Sequence, residues 1–321
     1  MVGDLKRAQA AFPLISTWVL LSGTASHAAV AASHPTPAMI VAQALSAPDG
    51  KLDFARAKLT FDRIIDPSIN TARTSADLDR LEHTAEAMAG PGADNPTKLK
   101  ALRKVIYESG PWNGDRPFGY DHADPFGKDI RNKLLSTYLT TRRGNCVSMP
   151  ALYLILADRM GPNVALAMAP LHEFVRYTDA AGHTMNLETT SGAYPARDSW
   201  IRQQAPNVRP RSGERPLHAH TDPRAERGAD GRTVVEYLLG VERNADAIAV
   251  AGVILKYDPR NGVAMIEQAA GYSGIIATEF KSKYSHADRI PADLLPRYLA
   301  LNAQEDEAYA AATSLGWEQV E

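Results

Sequence analysis

The sequence lacks most of what would mark a disulfide scaffold, a metal protein or a nucleic-acid binder. One of its 321 residues is a cysteine, Cys146, so an intramolecular disulfide is impossible and a thiolate-built metal site of the usual kind is excluded. Basic residues are not in excess. The 35 Lys and Arg stand against 37 Asp and Glu, for a net charge of −2, which withholds the positive surface that a phosphate backbone requires. No nucleic acid, metal or organic cofactor is implied. The apolar run from Ala10 to Leu21 (AAFPLISTWVLL) spans roughly 12 residues, short of the roughly 20 needed to cross a bilayer.

What is present is ordinary globular composition, 45% hydrophobic and 22% charged, enough for one large domain or two modest ones. Residues 1–31 read as a secretory signal peptide: Lys6 and Arg7 precede the apolar run, and Ser26-His27-Ala28 or Ala29-Val30-Ala31 offers small-residue cleavage sites. Export, with a periplasmic location and no membrane span after signal removal, is the expectation. Residues 32–48 read as a linker carrying a short helix.

Helical spacing of apolar residues runs over 50–66 and stops at Pro67. A second helix is expected after a Thr74-Ser75 cap, and a third with Asn95 as N-cap and Pro96 at the first helical position. Residues 110–130, rich in Gly, Pro, Asp and aromatics, read as an irregular loop, followed by a fourth helix from about Arg131 to Thr141. From Val147 to Met160 the pattern is apolar nearly all round, as in a buried helix. Strand-like segments follow at NVALAMAP, LHEFVRYT and TMNLETT. Helices first and strands after predict an α+β fold in which a buried helix packs on a small antiparallel sheet. Residues 205–231 read as a linker or exposed loop. Residues 232–321 are helical again, in hairpins of tetratricopeptide-like length broken at Asp258-Pro259.

The chemistry centres on Cys146. Gly144-Asn145 is a turn signal and the buried helix starts just after the cysteine, which puts sulfur at a helix N-terminus. Unpaired N–H groups there favour a thiolate and can hold a developing oxyanion. A thiolate nucleophile also needs a proton carrier. His172, on the strand after the nucleophile helix, is the best placed of nine histidines. A hairpin turning at Asp179-Ala180-Ala181, with Gly182 as a left-handed bulge, sets residue 172 opposite Glu188, with Asn186 on the same face. Either can orient the imidazole. Asn132 is a further candidate, as an oxyanion donor. His183 reads as a turn residue, and His218-Ala219-His220 has metal-like spacing but reads as solvated. Trp112 and its loop either line a substrate groove or pack beneath the loop.

RRGNCVSMPALYLILADRMG, LHEFVRY and NLETTSG together resemble the nucleophile, histidine and acidic blocks of the transglutaminase-like (papain-like cysteine) superfamily. Glu188-Thr189-Thr190 falls where that family has Asp-x-Thr. IYESGPWNGD and NKLLSTYLTTRRG resemble a bacterial branch whose core is fused to tetratricopeptide helices. The resemblance covers roughly residues 50–200, within a domain taken as 50–204, and implies a Cys-His-(Glu or Asn) enzyme that cleaves or exchanges amides through a thioester, as a protease, deamidase or acyltransferase acting on a protein or peptide. The other reading is a non-catalytic periplasmic scaffold with a degenerate core, binding a protein partner through its C-terminal helices.

Overall fold

The computed structural model describes residues 34–46, 53–169, 172–203, 218–219, 228 and 230–315. The signal segment at 1–31, most of the segment at 205–231 and His220 lie outside them. Each early helix begins where a short polar side chain caps it. Thr36 caps α1 (Pro37–Leu45), Asp53 caps α2 (Phe54–Ile65), Asn70 caps α3 (Thr71–Ala89) and Asp94 caps α4 (Asn95–Tyr107). Two starts differ from the sequence expectation. Asn70 accepts from Arg73 N at 3.0 Å, so α3 opens before Thr74-Ser75. Asp94 accepts from Thr97 N at 2.9 Å, which makes Asn95 the first helical residue.

The helix expected from Arg131 to Thr141 is interrupted. Ile130–Lys133 is a 3-10 turn, Leu134 is extended, and α5 spans Leu135–Thr141. The break has a partner: Leu135 N donates to the Asp62 carboxylate at 2.8 Å rather than to a preceding carbonyl. Two short strands, β1 (Gly119–Tyr120) and β2 (Arg143–Gly144), pair in parallel. They flank the turn into α6 (Ser148–Met160), in which only Asp158 is exposed.

Helix α6 packs on β3 (Val164–Ala169) and β4 (His172–Thr178), and on α3, α4 and α5. The sheet continues through β5 (Thr184–Glu188) and β6 (Tyr194–Ala196), followed by α7 (Asp198–Gln203). Strand β7 (His218–Ala219) pairs with β3, giving an antiparallel order β6-β5-β4-β3-β7. The β4–β5 register differs from the expected one. Val175 pairs with Leu187 and Arg176 with Asn186, so the partners move by two residues. The cause is the turn, closed by Asp179 and His183 with Gly182 at φ +85°. A two-residue shift preserves faces, so Glu188 and Asn186 remain on the His172 side.

The fold is therefore α+β, with a buried helix on an antiparallel sheet and helical extensions. Beyond the sheet come α8 (Arg232–Gly240), α9 (Asn244–Tyr257), α10 (Gly262–Ile276) and α11 (Leu295–Ser314). Val234, Leu238, Val250 and Ile254 share a core with Val41, Leu45 and Phe61. Thus α1, expected within a linker, docks on the C-terminal helices. Among the described residues, no helix is long and apolar enough to cross a membrane.

A buried ionic network joins these helices to the sheet. Lys58 Nζ lies 2.7 Å from Asp62 and 3.2 Å from Asp230, and it donates to the Lys133 carbonyl at 3.2 Å. Lys133 Nζ reaches Glu236 at 2.5 Å, while Arg232 reaches Glu173 at 3.4 Å. Lys58 is fully buried. Burial pushes its ammonium down, but Asp230 and Asp62 outweigh that and raise it. Burial raises both carboxyls against the pull of the lysine, Asp62 as well as Asp230, and it pushes Asp230 up to about 7.

Candidate active site

Cys146 sits in the turn just before α6, half-buried. The residue before it holds that turn. Asn145, 1% exposed, accepts through Oδ1 from the N–H groups of Val147 at 3.0 Å and Ser148 at 3.3 Å. It caps α6, whose N-cap residue Val147 has no capping side chain. Asn145 Nδ2 and Ser148 Oγ both donate to the Asn132 carbonyl, at 3.3 and 3.2 Å. Two glycines permit the close approach. A Cβ on Gly144 would meet the Tyr138 ring at 2.6 Å and Ser148 Oγ at 2.7 Å; one on Gly127 would meet Asn145 Nδ2 at 2.6 Å.

His172 begins β4, directly across the hairpin from Ala169. Its Nε2 lies 2.7 Å from Glu188 Oε2. The ring is also hydrogen-bonded to the Cys146 side chain. Burial pushes the imidazole down, but the hydrogen bonds and charges of Cys146 and Glu188 prevail, and it is pushed up to about 10. Glu188, 2% exposed, is itself fixed: Oε1 accepts from Thr190 N at 3.0 Å and from Thr190 Oγ1 at 2.5 Å. Thr190 therefore orients the carboxylate that contacts the histidine.

The other sequence candidates fall elsewhere. Asn186 accepts from Arg176 Nε at 2.9 Å and donates to Asp198 at 2.6 Å, so its amide braces β4 against the start of α7. Asn132 lies in the 3-10 turn before α5, not in a regular helix. Its amide donates to Asp124 Oδ2 at 2.8 Å, while its carbonyl anchors the cysteine turn. Trp112 Nε1 donates to the Lys104 and Glu108 carbonyls at 3.2 Å, closing the end of α4 beneath the loop. His183, 83% exposed, pairs with Asp179 at the hairpin turn. His218 is in the β7 backbone. Among the described residues, no group of His, Cys, Asp or Glu is arranged to hold a metal ion.

Asn145 and Tyr120 are the residues that sequence reasoning missed. Asn145 was legible only as half of a turn dipeptide. Tyr120 pairs with Gly144, and its hydroxyl donates to the Pro125 carbonyl at 2.6 Å. Burial pushes its phenol up, and Cys146 and Glu188 add to this through space. The arrangement has a sulfur, an imidazole that contacts it, and a carboxylate on that imidazole, in series just before a buried helix. Those parts suffice for nucleophilic attack coupled to proton transfer.

Residues 72–218, just under half of the chain, match the family described as the transglutaminase-like superfamily. The match runs from α3 to β7 and contains Cys146, His172 and Glu188; the helices from α8 onward lie beyond it. No curated protein and no solved structure matches the chain.

Proposed function

We propose that the chain is a cysteine-dependent enzyme that processes amide or peptide bonds of a protein or peptide substrate. Cys146 is the nucleophile, His172 the acid and base, and Glu188 the residue that orients His172. One observation carries this reading: a single imidazole contacts both the Cys146 side chain and the Glu188 carboxylate, the latter at 2.7 Å.

The thiolate of Cys146 attacks the carbonyl carbon, forming a C–S bond and an oxyanion for which the backbone N–H of Cys146 itself is the donor. Collapse of the oxyanion breaks the C–N bond, and the imidazolium proton of His172 leaves with the amine. The imidazole is raised to about 10, so it carries that proton at neutral pH. His172 then removes a proton from water, which attacks the thioester, releases the acid and restores the thiolate. An amine in place of water yields a new amide. The tetratricopeptide-like helices supply a surface for a protein partner. The basic and then apolar opening at 1–31 supports export to the periplasm, to be checked by the mature N-terminal mass.

The test is alkylation with iodoacetamide, followed at Cys146 by peptide mass spectrometry at pH 6. The wild-type chain should react when folded, and His172→Ala should react far more slowly. Alkylation only after denaturation would overturn the assignment.

A further inference from the structure

A cavity of about 610 Å³ opens between α2, the start of α3, Ile40 of α1 and Arg159 of α6. It lies at the far end of the nucleophile helix. Cys146 precedes α6 and Arg159 is its next-to-last residue, so a rise of about 1.5 Å per residue separates the two by roughly 20 Å. None of its lining residues takes part in the thiol site.

The lining brings three guanidiniums, Arg56, Arg63 and Arg159, together with the hydroxyls of Thr60, Thr71 and Ser75. Arg159 is half-buried and already held, by Asp79 at 3.0 Å and Glu82 at 3.2 Å. Arg56 and Arg63 are exposed at the rim, and neither has an ion-pair partner among the described residues. The one lining carboxylate, Asp53, is engaged as the α2 cap and accepts from Arg56 N at 3.3 Å. Seven residues apart on one helix, Arg56 and Arg63 share a face and stand roughly 10 Å apart along it. The floor between them contains Leu59 and Ala55, both buried. Two uncompensated forks over a partly apolar floor, in a volume that suits a small organic molecule, match a ligand with an anionic group at each end.

We propose that this cavity binds a small organic or inorganic anion carrying two or more carboxylate or phosphate groups, independently of the thiol chemistry. Guanidinium forks accept both groups, and the experiment separates them.

The test is isothermal titration calorimetry of the full chain at low ionic strength with citrate, inorganic pyrophosphate and, as a monovalent control, acetate. Saturable binding of citrate or pyrophosphate at one site per chain is expected, with acetate giving none. Preference for citrate assigns a polycarboxylate, and preference for pyrophosphate a phosphorylated ligand. Arg56→Gln and Arg63→Gln should each weaken binding by about tenfold, while Arg289→Gln, at an exposed arginine outside the cavity, should leave it unchanged. All three are surface changes, and thermal melting verifies their folding. Multivalent anions that bind no better than acetate, or that bind Arg56→Gln and Arg63→Gln as tightly as wild type, overturn the proposal.

Discussion

Glu188 Oε2 lies 2.7 Å from His172 Nε2 although the two residues are not paired across the sheet. The register sets Val175 against Leu187 and Glu188 against Tyr194, so Glu188 comes one step past Leu187, opposite Phe174, and reaches the histidine on a diagonal. A diagonal needs a longer side chain than a direct pair does. The extra methylene of glutamate over aspartate supplies that reach, and Thr190 fixes its other oxygen.

Glu188→Gln keeps a group that can hydrogen-bond but removes a charge that, together with Cys146, raises the imidazole. We expect acyl transfer to fall by roughly 10²–10⁴-fold, the usual scale of positioned acid–base assistance, with the His172 titration moving down in NMR. Thr190→Val should give a smaller loss in the same direction. An unchanged His172 titration in Glu188→Gln would show that the carboxylate does not govern the ring.

Asn145→Ala removes the side chain that caps α6 and ties the cysteine turn to Asn132. Loss of a cap costs about 1 kcal/mol, and the buried N–H groups left without partners add about 1–3 kcal/mol. A lower urea midpoint is expected, together with slower alkylation of Cys146 in the fraction still folded. Wild-type alkylation at reduced stability would make Asn145 a structural cap without influence on the sulfur.

The core of the site was legible in the sequence because each part sits where one local rule places it: a cysteine at a helix start, a histidine opening a strand, an acid on the next strand. The pairing register was not, because it depends on the Asp179 turn. Asp179 Oδ1 accepts from both Ala181 and His183 N–H, which moves the closing pair outward. The roles of Asn186 and Asn132 were equally hidden, since each amide has its partner on a distant segment. Least visible was the ionic network, because its members lie on separate elements and a lysine on α2 reads as surface until its partners are known.

Lys58→Met tests how much that network holds together. Removing one partner of a buried pair typically costs about 3–5 kcal/mol, because the remaining charge has no compensation. Here Asp62 and Asp230 would both be stranded. Lys58→Met/Asp62→Asn should recover part of the loss, since the new amide oxygen can still accept from Leu135 N–H. Equal urea midpoints for wild type and Lys58→Met would mean that the lysine contributes no net stability.

The same network gives stability a pH dependence of definite sign. Asp230 is raised from 3.8 to about 7, and Glu267 from 4.5 to about 7, both chiefly by burial. Each binds its proton more tightly folded than unfolded, so the stability it lends is whole below its ordinary value and is lost as pH rises through about 7. His172 acts in the same direction at higher pH, its contribution whole below 6.5 and lost through about 10. The exposed carboxyls lowered by their hydrogen bonds, such as Asp94 and Asp124, act only near and below their ordinary values. Between pH 5 and pH 9 the urea midpoint should therefore decline. Asp230→Asn, an uncharged stand-in for the protonated acid, should change little at pH 5 and gain on wild type by pH 8, flattening the first part of the decline. A wild-type midpoint that climbs from pH 5 to pH 7, with Asp230→Asn following in parallel, would mean that the buried carboxyl is ionised throughout and that the Lys58 ammonium fully compensates both of its acidic partners.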